Sequence, residues 1–183
     1  MLAVALMLAP GCLVLSVNPL YDDDTLTWDP ALIGSWTADE ERWTLQIERD
    51  EWRSYDIRYT HPAESGHLTG YLTAVGEEKF LDVMPSRGRD RGALLVPAHA
   101  FVHVRLDGDR LHVTPVAYDT LADRLLRGRA PDGLDATFDQ KENVLLTTPT
   151  PRLRAWLRRQ APGSEVFGVT ISFSRVREIP AVH

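Results

Sequence analysis

The chain of 183 residues contains a single cysteine, Cys12. One thiol excludes an intrachain disulfide framework and any zinc module built on several cysteines. Lysine is nearly absent too: it occurs only at 79 and 141 among 20 basic residues, a bias that reads as genomic base composition. Nor is there an excess of positive charge. The 26 Asp plus Glu outweigh the 20 Lys plus Arg for a net charge of -6, which excludes a general nucleic-acid binder needing cations to displace counterions. There is no Walker-type loop and no dinucleotide fingerprint. The one Gly-Ser pair worth testing, Gly163-Ser164, lacks the trailing glycine and preceding strand of a nucleophile elbow. What remains is a globular composition, 44% hydrophobic and 25% charged, at a length that suits one domain.

The most informative absence is charge at the start, because no side chain before Asp22 carries a formal charge at pH 7. Residues 1–9 (MLAVALMLA) form an apolar run, Pro10 and Gly11 break it, and Cys12 follows. An apolar segment, small residues and a cysteine are the pattern of a bacterial lipoprotein signal. Residues 1–11 would then be removed, and Cys12 would carry diacylglycerol and an amide-linked acyl chain such as palmitate. Two signals matter because each buried CH₂ contributes roughly 0.8 kcal/mol and one chain anchors weakly. Ala9 stands where such signals usually have Leu, and no basic residue precedes the run, which a start codon upstream would explain. Two alternatives stay open. Residues 1–17 approach the length of an uncleaved span, although Pro10 and Gly11 interrupt it, and the segment could be a buried element of the fold. Residues 12–30 read as lipid attachment and tether, with 22–24 (DDD) a solvated acidic turn, and residues 31–183 as one β-rich domain.

From Gly34 onward the chain is a succession of short alternating runs. Trp43, Leu45 and Ile47 alternate with polar residues, as do Tyr55, Ile57 and Tyr59. Further strands are expected over 67–75, 79–84, 93–106, 110–116, 143–147 and 169–176. Asp107-Gly108 marks the clearest hairpin, since it tolerates the positive φ of a tight turn. Two helices interrupt the series. One is expected over 120–127, opening with Thr120 and Asp123 at capping-box spacing. The other spans 151–160, with Thr150 as cap and Pro151 in the first turn. Its apolar stripe is Leu153, Trp156 and Leu157, with Arg152, Arg154, Arg158 and Arg159 facing away. The pattern predicts a mainly β fold, an antiparallel barrel or sandwich with two short helices.

Gly34-Ser35-Trp36 opens this series and Arg175 stands in the last strand. The pair resembles the Gly-x-Trp and late Arg of lipocalin-type barrels, which implies an indole plugging the barrel floor with a guanidinium packed across it for about 0.5 to 2 kcal/mol. A longer resemblance rests on 18–36 (NPLYDDDTLTWDPALIGSW), 80–85 (FLDVMP), 95–104 (LVPAHAFVHV) and 144–157 (VLLTTPTPRLRAWL). These stretches look like a family of uncharacterised bacterial lipoproteins with a lipocalin-like body. That resemblance implies secretion and acylation at Cys12, and no activity.

His99 and His103 lie four apart and His112 follows beyond the hairpin, so the three are candidate metal ligands. On a strand, positions four apart are roughly 13 Å distant, too far to share an ion without a bend. No metal and no cofactor are expected. Asp56 and Asp82 would make a carboxylate pair only if the fold joined them. Every catalytic motif tested is missing, so a non-enzymatic role is expected. The protein would be lipid-anchored in the bacterial cell envelope, on the outer membrane facing the periplasm. It would hold a small apolar ligand in a barrel or, alternatively, serve as an interaction module that assembles or inhibits an envelope enzyme.

Overall fold

The computed structural model describes residues 13–86, 97–129, 133–161 and 163–177. Cys12, the segment before it, and the first residues of the run expected over 93–106 lie outside these ranges.

Eight strands close into an antiparallel barrel: β2 (Gly34–Ala38), β3 (Trp43–Arg49), β4 (Ser54–His61), β5 (Glu64–Val75), β6 (Glu78–Pro85), β7 (Ala100–Asp107), β8 (Arg110–Pro115) and β11 (Ile171–Arg175). Each pairs with its neighbour in the chain, and β11 completes the ring by pairing with both β8 and β2. Closure leaves no edge strand, which distinguishes this fold from the sandwich that the strand pattern also allowed. The expected hairpin joins β7 to β8, with Asp107 opposite Arg110 and Gly108 at a φ of 57°.

Period-two alternation turns one residue in two inward. Trp36, Ile47, Tyr55, Ile57, Leu72, Leu81, Val104, Leu111 and Phe173 form one buried cluster drawn from all eight strands, which is the barrel interior. It is tightly filled. A Cβ on Gly70 of β5 would come within 2.6 Å of Ile57 Cδ1 and 3.2 Å of Leu81 Cδ1, so a larger residue there would make those two side chains shift.

One end of the barrel is plugged. A 3₁₀ turn, Pro30–Leu32, lies across it and buries Leu32. Trp36 is fully buried and donates its indole N–H to Leu32 O at 3.0 Å. Arg175 sits opposite Trp36 in the register with its guanidinium carbon 4.1 Å from the ring centroid. The same guanidinium donates to Ile33 O at 2.7 Å and Ala31 O at 2.5 Å, tying the last strand to the plug. Gly34 has a φ of 144°, and a Cβ there would meet Arg175 Nη1 at 2.5 Å. Gly34, Trp36 and Arg175 are thus one packed unit. Trp28 adds a second layer by stacking on Tyr55, ring centroids 4.4 Å apart at 11°.

Outside the barrel lies a second core, built on the outward faces of β5 to β7. Val75, Phe80 and Phe101 point away from the barrel interior and are at most 2% exposed. They are covered by a small sheet in the order β1 (Val14–Ser16), β10 (Val144–Leu146), β9 (Ala136–Phe138), and by α1 (Tyr118–Leu126) and α2 (Thr150–Arg158). The stretch read as a tether is therefore packed from Leu13 onward. Val14 joins the outer sheet, Leu20 is fully buried, and Leu26 bridges to Thr73.

The expected helix caps are put to other uses. Helix α1 begins two residues before Thr120, whose hydroxyl donates to Glu165 O. Thr150 lies inside α2, and its hydroxyl donates to Pro19 O. Both hydroxyls hold tertiary contacts in place of helix ends.

Two substitutions test the closure. Arg175→Ala should lower unfolding stability by about 2 kcal/mol, from the lost cation–π contact and two unpaired carbonyls. Gly34→Ala should also destabilise, yet cost less in the Arg175→Ala background because the clashing guanidinium is gone. Urea denaturation of the four variants measures that coupling. Strict additivity would show that Gly34 and Arg175 do not act on each other.

Candidate functional site

The densest group of buried polar side chains lies where the strap of residues 13–29 crosses the barrel. Three elements supply it. Strand β6 presents Asp82 outward, at 0% exposure. His99, just before β7, comes beside it because its backbone pairs with Ser16 of β1 through two 2.8 Å hydrogen bonds. Helix α2 contributes Arg154.

Both Asp82 carboxylate oxygens are occupied. Oδ2 accepts the Leu20 backbone N–H at 2.6 Å, and Oδ1 lies 2.7 Å from His99 Nδ1. Burial pushes the Asp82 carboxyl above the usual carboxylate range, and the His99 and Leu20 hydrogen bonds oppose that shift. With the carboxylate ionised, Nδ1 carries the hydrogen and Nε2 is the remaining ring nitrogen. Tyr21 borders the imidazole edge-on at 6.4 Å and packs on Tyr71 at 4.6 Å. Its phenol is raised to about 12 by burial, by Tyr71 and by the charge on Asp82.

Arg154 forms the other half of the seam. It is 7% exposed, a correction to the expectation that it faces solvent with its neighbouring arginines. Its guanidinium donates to Leu20 O at 2.8 Å, Thr73 Oγ1 at 3.1 Å and Ala74 O at 2.6 Å. It thereby joins strap, barrel and helix. Thr73, fully buried, donates in turn to Thr25 O. A planar cation with five donors can satisfy several carbonyls that would otherwise be buried unpaired, which accounts for an arginine at this position.

The four stretches that carry the family resemblance converge here, through Leu20 and Tyr21, Asp82, His99, and Thr150 with Arg154. The histidines do not converge. His99 is held by Asp82, His103 Nε2 lies 2.6 Å from Glu78 Oε2, and His112 Nδ1 lies 2.8 Å from Ser172 Oγ. Among the described residues no three His, Cys, Asp or Glu side chains are grouped to hold a metal ion. Asp56 and Asp82 are separate as well, Asp56 pairing with His67 on β5 at 2.5 Å. A lone Asp–His couple resembles the orienting half of a triad, but no hydroxyl or thiol is hydrogen-bonded to His99 among the described residues.

No protein-family model, curated protein or solved structure matches the chain.

Two measurements test this seam. Asp82→Ala leaves the Leu20 N–H and the His99 imidazole without their acceptor and should cost about 3 kcal/mol, with faster proteolysis inside the strap. Asp82→Asn should cost less, because its amide oxygen can accept from Leu20 while its amide N–H₂ donates to Nδ1. The His99 ring would then change tautomer, an outcome read by ¹⁵N NMR.

The second concerns alkali. Tyr21 and Tyr55 are both raised to about 12, with burial the first cause in each. The unfolded chain loses those protons near the ordinary value of 10.0 while the folded chain keeps them. Stability should therefore be undiminished below about pH 10 and fall between about pH 10 and 12. Thermal unfolding across that range should show the decline, and a Tyr21→Phe variant should show less of it.

Proposed function

We propose that this protein is a lipid-anchored, non-enzymatic interaction module of the bacterial cell envelope, with the barrel as a rigid scaffold. The observation that carries the reading is the filled interior. Trp36, Tyr55, Leu72, Leu111 and Phe173 occupy it at no more than 3% exposure, and a Cβ on Gly70 would already press on Ile57 and Leu81. Two cavities outlined by described residues, about 650 and 270 Å³, lie outside the barrel, against α1 and α2 respectively. A protein that carries an apolar ligand inside a barrel needs an enclosed volume of roughly 300 Å³ or more.

The packed strap supports the same reading. Leu13 donates its backbone N–H to Asn143 Oδ1 at 3.2 Å. Acyl chains on Cys12 would be one residue from a rigid body, so the barrel would be presented at a fixed distance from the bilayer. Such tethering raises local concentration and favours weak contacts with neighbouring envelope proteins. Among the described residues no helix is long and apolar enough to cross a membrane.

One observation favours a second reading, a small apolar ligand at the barrel mouth. At the end away from Trp36, inward-facing Leu68, Val83, Val102 and Val113 are only partly buried. Native mass spectrometry of protein isolated from its own envelope separates the two, with a co-isolated apolar small molecule supporting the mouth and a protein partner supporting the module.

The anchor has its own test. Cys12→Ser should move the protein from the membrane to the soluble fraction and abolish labelling by radioactive palmitate. Unchanged membrane association would sink the lipoprotein reading.

A further inference from the structure

Away from the strap seam, a cavity of about 270 Å³ opens between the β5–β6 turn, the outer faces of β6 and β7, and the end of α2. It has room for roughly nine waters at about 30 Å³ each. One wall is aromatic, and Val75 and Leu157 add aliphatic surface. Phe80 and His103 meet edge-on at 5.4 Å between centroids, and Phe167 lies 6.2 Å from Phe80 and 6.0 Å from His103. Glu77 and Glu78 line the rim, and Glu78 Oε2 is 2.6 Å from His103 Nε2.

The charge around this cavity is mainly negative. Besides the two carboxylates, the C-terminal end of α2, the negative end of its dipole, lies beside the cavity. The opposing cation is Arg158, which is exposed and whose stem passes beside Gly76. Such a side chain keeps its head in water while its carbons form part of the wall. Aromatic faces with a carboxylate at their edge attract an alkylammonium group, which combines a diffuse positive charge with an apolar surface.

We propose that this cavity is a binding site for a small organic ammonium group, with His103 and Phe167 as its aromatic wall, Phe80 packed behind them, and Glu78 as its counter-charge. The ammonium could come from a free solute or from a phospholipid headgroup. The site goes beyond the interaction-module reading and does not depend on it, because Cys12 has no part in it.

Isothermal titration of the purified protein with choline tests the proposal, beside 3,3-dimethyl-1-butanol, the uncharged isostere. Choline should bind saturably and at least about fivefold more tightly than the alcohol, the difference expected of a cation–π site. Glu78→Gln, at a half-buried position where the amide can still hydrogen-bond His103, should weaken choline by a similar factor with an unchanged circular dichroism spectrum. Phe167→Leu should weaken it too, while keeping the cavity apolar. Equal affinity for choline and the alcohol, tighter binding of acetate than of choline, or no saturable choline binding would each overturn the proposal. Phosphatidylcholine vesicles distinguish the sources. Displacement of free choline by vesicles assigns the site to a headgroup, and choline binding that vesicles leave untouched assigns it to a free solute.

Discussion

The outward faces of β5, β6 and β7 cannot be left in water, and most of the architecture outside the barrel follows from that constraint. A small closed barrel ordinarily buries one side of each strand and solvates the other. Here Val75, Phe80 and Phe101 face outward and are nearly inaccessible. Burying one such side chain contributes roughly 1.5 to 3 kcal/mol, so a covering layer is strongly favoured once the barrel has formed. The excursion between β8 and β11 supplies that layer through α1, the outer sheet and α2, and the strap supplies the strand β1 that completes it.

Covering a sheet face with irregular chain brings backbone polar groups into an apolar interface, and each needs a partner. Asp82, Arg154 and Thr73 meet that need. The carboxylate takes the Leu20 N–H, while the guanidinium takes the Leu20 and Ala74 carbonyls. Leu20 is thus held at both backbone groups and buried by its side chain. The buried charges connect the two layers. Removing either would leave its backbone partners buried and unpaired.

Much of the barrel was legible from residue order. Trp43, Leu45 and Ile47, then Tyr55 and Ile57, alternate because one face of β3 and β4 meets water, and the Asp107-Gly108 turn joins β7 to β8 as expected. Phe80-Leu81-Asp82-Val83-Met84 does not alternate, and that irregularity was the available sign of a strand packed on both faces. The residues that build the polar seam were less accessible. Arg154 sits at helical spacing with solvated arginines, so periodicity could not separate it from them. His99 and His103 share a strand face but find different carboxylates, because each partner comes from a different position of β6.

Residue order was enough for the class of fold and the inward set of side chains, because both depend on period-two alternation, while the lipocalin resemblance implied the Trp36–Arg175 pairing at the barrel floor. The tertiary structure alone decided that the strap is part of the body, that Arg154 is buried, and that Glu78, His103, Phe80 and Phe167 share a cavity. These contacts join positions tens of residues apart, and their energy exists only after the barrel has brought the partners within reach.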